Sequence, residues 1–141
     1  MPIPVRVVSV ERLLFEGDAD FVRARSLDGE LGILPRHAPL LAALAPSELR
    51  IDKTGGGSEV LFVGGGFIEV LPERITVLAD VAEHASEINL ERAEEARKAI
   101  AERLAGIPHD EAERRSLEQE LVMAEERLRL ARVRRPGGGG G

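Results

Sequence analysis

The chain has 141 residues, of which 43% are hydrophobic and 31% charged, enough for one compact domain or one small domain with an appendage. It contains no cysteine, which excludes disulfides, thiolate zinc sites and cysteine nucleophiles. Trp and Tyr are absent, Phe occurs four times and the net charge is −6, so neither base stacking nor phosphate-backbone binding is expected and no nucleic acid is a partner. No apolar run approaches the roughly 20 residues of a membrane span. The opening MPIPVRVVSVERLLFEG lacks a basic stretch followed by a long apolar one, so no signal peptide is read and a soluble intracellular protein is expected.

In chain order, the first half reads as short β-runs separated by Gly, Pro and Asp. Val5, Val7 and Ser9 alternate with Arg6, Val8 and Val10, and Leu49 and Ile51 flank Arg50. Val60 to Val63 and Phe67 to Leu71 are apolar runs, and Ile75, Val77 and Ala79 alternate with Thr76 and Leu78. This spacing predicts an all-β sandwich or barrel. Asp28-Gly29, Gly55-Gly56-Gly57 and Pro72-Glu73 are turn candidates. Phe15, Phe21, Phe62 and Phe67 all lie in this half and are expected to fill its core.

The period changes near residue 86. After Ile88 the composition is rich in Ala, Glu, Arg and Leu, as in helices. Asn89 is the expected N-cap, with Glu91, Glu94 and Glu95 near the positive end of the helix dipole. Ala93, Ala96, Ile100 and Leu104 form one expected stripe, and Gly106 with Pro108 gives a stop. Asp110 and Glu113 mark a second helix start. Leu117, Leu121, Ala124, Leu128 and Ala131 then form a seam for an antiparallel partner, which makes an αα-hairpin. Alanines bury little area, so the hairpin should dock weakly, as a detachable arm must. The organisation expected is a sandwich over 1–86, a hairpin over 87–135 and a disordered glycine tail over 136–141.

Charge in the second helix is polarised. Seven acids face Arg114 and Arg115 between Asp110 and Glu126, whereas Arg127, Arg129, Arg132, Arg134 and Arg135 follow without an acid. Cations suit a helix C-terminus, but five in nine residues exceed what capping requires and fit an acidic protein partner.

No catalytic constellation and no metal site is present. His37, His84 and His109 are far apart in the sequence, and no serine sits in a Gly-x-Ser-x-Gly setting. Gly64-Gly65-Gly66 leads into another strand rather than a helix and has no Lys, so it reads as a bulge or tight connection and not as a phosphate loop.

Three strings together carry a resemblance. Residues 29–41, Gly-Glu-Leu-Gly-Ile-Leu-Pro-Arg-His-Ala-Pro-Leu-Leu, closely resemble the signature of the epsilon subunit of bacterial rotary ATP synthases. Gly64 to Val70 and Val77-Leu78-Ala79-Asp80 resemble two more of its segments, in the right order, and Val8-Ser9-Val10-Glu11 also fits. The similarity covers roughly residues 3–133. It implies a sandwich of about ten strands followed by two helices, and a non-catalytic place in the central stalk. The implied partners are the gamma subunit, the membrane c-ring and, through the helical arm, the beta and alpha subunits of the catalytic head. The implied location is peripheral, on the cytoplasmic face of the plasma membrane, with no span of its own.

The resemblance also implies roles for residues. Ser9, Glu30 and His37 match those that face the c-ring, with Pro35 and Pro39 stiffening that edge. The arginines from Arg127 to Arg135 would meet an acidic lever of the beta subunit and inhibit ATP hydrolysis. Some members bind ATP through an Ile/Leu-Asp-x-x-Arg-Ala motif; here the string is Ile88-Asn89-Leu90-Glu91-Arg92-Ala93, with Glu83 and Arg127 matching further ATP-side positions. Asn89, Ala99 and Met123 lack polar groups that the best binders have, so no cofactor is required and ATP is expected as a weak regulatory ligand at most. Two other readings are a free-standing nucleotide-sensing module whose hairpin closes on ATP and an enzyme with a site on the sandwich; the second has no constellation to carry it.

Overall fold

The computed structural model describes residues 2–106 and 110–133. The chain divides into two compact units, the first ending at His84 and the second beginning at Ala85.

The first unit holds nine strands: β1 (Ile3–Ser9), β2 (Leu13–Ser26), β3 (Gly29–Ile33), β4 (Leu40–Ala43), β5 (Ser47–Lys53), β6 (Ser58–Val63), β7 (Gly66–Leu71), β8 (Arg74–Ala79) and β9 (Ala82–His84). These nine strands among the described residues agree with the expected sandwich of about ten, and β2, 14 residues long, serves two parts of it. Its first half pairs with β1, and its second half lies between β3 and β5. The hydrogen-bonded order is β4-β7-β8-β1-β2-β5-β6-β9, with β3 on β2. Every pairing is antiparallel except β1 with β8.

The core is aliphatic. Val5, Val7, Val22, Ile33, Leu49, Ile51, Ile68, Val70, Ile75 and Val77 are buried together, as strand alternation requires. The expectation for phenylalanine is corrected: among the four, only Phe62 is fully buried, and Phe67 is 54% exposed. Two of the other rings cover glycines instead of entering the core. A Cβ on Gly17 would stand 3.3 Å from the Phe15 ring, and one on Gly32 would stand 3.2 Å from the Phe21 ring.

The Gly64-Gly65-Gly66 string is a tight β6–β7 connection. Gly66 has φ of 110°, and a Cβ there would meet the Leu78 carbonyl oxygen at 2.1 Å. Asp80 N–H donates to the Gly65 carbonyl at 3.2 Å, and Gly64 N–H donates to the Val81 carbonyl at 2.7 Å. Two of the strings that carry the resemblance therefore touch each other: the first must be glycine because the second passes directly beside it.

The second unit contains a short 3-10 turn (Ala85–Glu87), α1 (Leu90–Ala105) and α2 (Glu111–Val133). Asn89 caps α1, its Oδ1 accepting the Arg92 N–H at 2.9 Å, and Asp110 caps α2, accepting the Glu113 N–H at 2.8 Å. The helices pair with each other. Leu117, Leu128 and Ala131 are buried on the expected seam, with Leu121 and Ala124 half-buried. In α1 the expected stripe is corrected: Ala93 is buried, but Ala96 is exposed while Arg97, Ile100 and Leu104 are half-buried. At 100° per residue, Arg97 stands about 40° from Ala93 and Ala96 about 60° to the other side, away from the face centred on Ile100 and Leu104. Leu130, also buried, lies off the expected seam.

Candidate interaction surfaces

Three surfaces carry the residues singled out above. The first is a rim of the sandwich. Ser9 pairs with Ala79, Ala79 pairs with Gly66, the Leu44 N–H donates to the Gly66 carbonyl at 2.8 Å, and Leu44 bridges Ser26. Ser9 and the end of β2 therefore share one end of the sandwich. Glu30 lies next to it, paired with Arg25 and exposed. Ser9 builds the β1–β2 turn: its Oγ accepts the Glu11 and Arg12 N–H groups at 3.2 and 3.3 Å. Ser26 shapes the β2–β3 turn, its hydroxyl donating to the Gly29 carbonyl at 2.8 Å.

His37 does not join them. It belongs to the loop that links Ile33, paired with Val22, to Leu40, paired with Val70, and these are the ends of β3 and β4 away from that rim. Arg36 adopts φ of 69°, and the His37 Nδ1 lies 2.7 Å from the Ala38 carbonyl oxygen. A carbonyl only accepts, so Nδ1 is the donor in this contact.

The second surface was not legible as a unit in the sequence. On the outward face of β4, β7, β8, β1 and β2, five residues stand side by side: Ala43 pairs with Phe67, Phe67 with Leu78, Leu78 with Val8 and Val8 with Leu13. Leu41, two residues along β4, is 69% exposed, and Phe67 and Leu78 are each 54% exposed. Lateral pairing joins these outward residues into a continuous band across five strands. Large contiguous apolar areas on soluble surfaces mark binding faces.

The third surface is on the helices. Ile88, Asn89, Arg92 and Ala93 gather at the start of α1, while Glu83 lies in β9 of the first unit and Arg127 on α2. Asn89 Oδ1 is occupied by the cap, Ala93 is buried, and Arg92 is exposed. An open groove of about 330 Å³ on this unit is lined by Glu91, Glu94, Glu95, Arg97, Lys98 and Arg132, three acids against three bases. In the basic run Arg129 is held by Glu126 at 3.0 Å. Arg134, Arg135 and the glycine tail lie outside the described residues, as do Pro108 and His109.

One carboxylate on the sandwich has a clear electrostatic setting. The Arg50 guanidinium, 3.0 Å away, and then the Ser58 hydroxyl, 2.8 Å away, hold the Asp52 carboxyl below its ordinary range. Among the described residues no cluster of His, Asp and Glu could hold a metal ion, and no helix is long and apolar enough to cross a membrane.

Residues 2–85 match the family model described as ATP synthase, Delta/Epsilon chain, beta-sandwich domain. The chain is 48% identical over 135 residues to the ATP synthase epsilon chain of Acidithiobacillus ferridurans, a match covering 96% of this chain and 93% of that one. It is 44% identical over 135 residues to the epsilon chain of Herpetosiphon aurantiacus, covering 95% and 92%. Its fold is shared with a chain of the Euglena gracilis mitochondrial ATP synthase, solved as OSCP/F1/c-ring, with a TM-score of 0.78, 24% identity and coverage of 89% and 78%. It is shared also with a chain of the Tetrahymena thermophila central stalk and c-ring, with a TM-score of 0.68, 13% identity and coverage of 93% and 97%. The family model over the sandwich and relatives matched over nearly the whole chain agree, and the chain belongs to the ATP synthase epsilon chain family.

Proposed function

We propose that this protein is a non-catalytic central-stalk subunit that joins the gamma subunit to the c-ring of a proton-translocating ATP synthase, at the cytoplasmic face of the membrane, and restrains ATP hydrolysis through its C-terminal helices. The observation that carries this reading is the apolar band Leu13–Val8–Leu78–Phe67–Ala43, with Leu41 beside it. A band of this kind needs a partner of matching shape, and the gamma subunit is the partner assigned to it. The rim with Ser9 and Glu30 is the c-ring contact, its shape fixed by turns that Ser9 and Ser26 tie; His37, on the loop at the other ends of β3 and β4, is not part of it. The helices act on the catalytic head through Arg127, Arg129, Arg132, Arg134 and Arg135, which meet acidic beta- and alpha-subunit surfaces.

ATP is at most a weak ligand of the hairpin. Arg92 is available at the surface, but Asn89 spends its oxygen on the cap, and the nearby groove has no net positive charge for a triphosphate, its three bases being matched by three acids. Isothermal titration should show little heat at sub-millimolar ATP, and low-micromolar binding would favour the nucleotide-sensing module instead. The test of the main reading is co-purification of the full chain with gamma. The Phe67→Asp/Leu78→Asp variant should fold yet lose gamma, because both side chains are exposed in the free protein. Retention of gamma by that variant would overturn the assignment.

A further inference from the structure

Beside the apolar band the same outward face carries a second, charged level. Glu69 pairs with Thr76, Thr76 with Arg6 and Arg6 with Glu16, so these four cross β7, β8, β1 and β2 in order. One step further along the strands stand Arg74 and, paired with Pro4, Asp18. An open groove of about 610 Å³ lies over these residues. Within it Arg6 is ion-paired with Glu16 at 3.4 Å, whereas Arg74 makes no ion pair among the described residues. The register explains why: its lateral partner is Leu71, and Pro4 follows on β1.

Arg6 and Arg74 are diagonal neighbours around Thr76, at the roughly 7–8 Å spacing of such positions on a sheet face. Two guanidinium forks about a hydroxyl suit one planar carboxylate. Glu69 on one side and Glu16 and Asp18 on the other would repel an acid placed elsewhere, and they disfavour a multiply charged anion. We propose that this groove receives a single carboxylate side chain of the protein docked on the neighbouring apolar band, and that it fixes the register of that docking. The proposal rests on the reading of the band as the gamma-binding face. The apolar band is tolerant of sliding, since burial is non-directional. The groove is not tolerant, because a shift by one residue pair places an acid against Glu69 or Glu16. An exposed ion pair contributes little, but a docked partner excludes water from this one and strengthens it.

The experiment measures association and dissociation rates of the full chain with the gamma subunit. Arg74→Glu should weaken binding by about 10–100-fold, mainly through faster dissociation, with the thermal midpoint of the free protein unchanged. In the Arg74→Glu background, replacing gamma's exposed acids one at a time by Arg should restore binding at one position and no other. Wild-type rates for Arg74→Glu, or no rescue at any acid, would overturn the proposal. Phe67→Asp separates the two readings: if it alone weakens binding, the band stands and the groove falls; if it too binds normally, the assignment of the face to gamma falls.

Discussion

The sandwich and the helical unit differ in what their side chains are committed to. In the sandwich, alternate residues of most strands are buried in one aliphatic core, and at Gly66 a Cβ would strike the backbone of the neighbouring strand. In α1 the single buried residue is Ala93, and the rest of its inner face is half-buried. At about 25 cal/mol per Å² of apolar surface, a half-buried face whose one fully buried residue is an alanine contributes far less than a row of buried Val, Ile and Leu. The helices are instead defined locally, by two side-chain caps and by short-range pairs such as Arg115 with Glu111 and Arg129 with Glu126. Local definition lets a helix keep its form while its surroundings change, whereas a shared core does not. The contrast fits a rigid coupling body joined to a piece whose contacts can be exchanged.

The most severe way to break the contrast is at Gly66. Gly66→Val adds a β-branched side chain at φ of 110° and against backbone 2.1 Å away, so the sandwich should fail to fold, or lose more than about 3 kcal/mol. Gly106→Ala, at φ of −82° and with its Cβ 3.1 Å from the Glu102 carbonyl oxygen, should cost far less, about 1 kcal/mol by thermal unfolding. Next come two matched truncations. Ile68→Ala in the fully buried core should cost about 2–5 kcal/mol, and the half-buried Ile100→Ala in α1 about 1 kcal/mol, in denaturant titrations. Equal costs would mean that the helical unit is as tightly packed as the sandwich.

The basic run sharpens the comparison on the functional side. Changing Arg127, Arg129 and Arg132 together to Ala should raise ATP hydrolysis by the assembled complex, with assembly intact and helicity by circular dichroism preserved. Losing about 1–3 kcal/mol of bias toward an inhibitory state changes its population by roughly 5–150-fold. The Arg129–Glu126 pair sets the sign of the competition: an acidic partner must displace an internal acid at 3.0 Å. Unchanged hydrolysis would reduce the run to a dipole-matched helix end.

The smallest effect is expected at Asp52. Its lowered carboxyl range means that its contribution is present above the unfolded-state value and disappears as pH falls through the folded one. Wild type should therefore lose under about 1 kcal/mol at this site on acidification below about pH 4, after solvent screening, while Asp52→Asn shows no such loss in acid titrations of stability.

Much of the architecture was legible because alternation and capping are local. β1 and β8 were visible from Val5, Val7, Ile75 and Val77, and both helix starts from Asn89 and Asp110. β2 was not, because its register shifts between Ala19 and Phe21 and the inward parity changes within the strand. The phenylalanines misled because ring size says nothing about which pleat a residue occupies. Ala96 misled because any three-residue step looks helical until the centre of the buried face is known. The apolar band and the charged groove were the least legible, since Phe67 and Leu78 of the β7–β8 pair meet Val8 and Leu13 of the β1–β2 pair only through β1 and β8, strands distant in sequence.

The central claim, that the sandwich is a self-sufficient coupling body and the helices a regulatory addition, is tested most directly by residues 1–86 expressed alone and mixed with gamma. The fragment should show a cooperative thermal transition, gamma affinity within about threefold of the full chain, and faster ATP hydrolysis when it replaces the full chain in the complex. A molten fragment that fails to bind gamma would contradict that claim, and would make the helices part of the body they were taken to regulate.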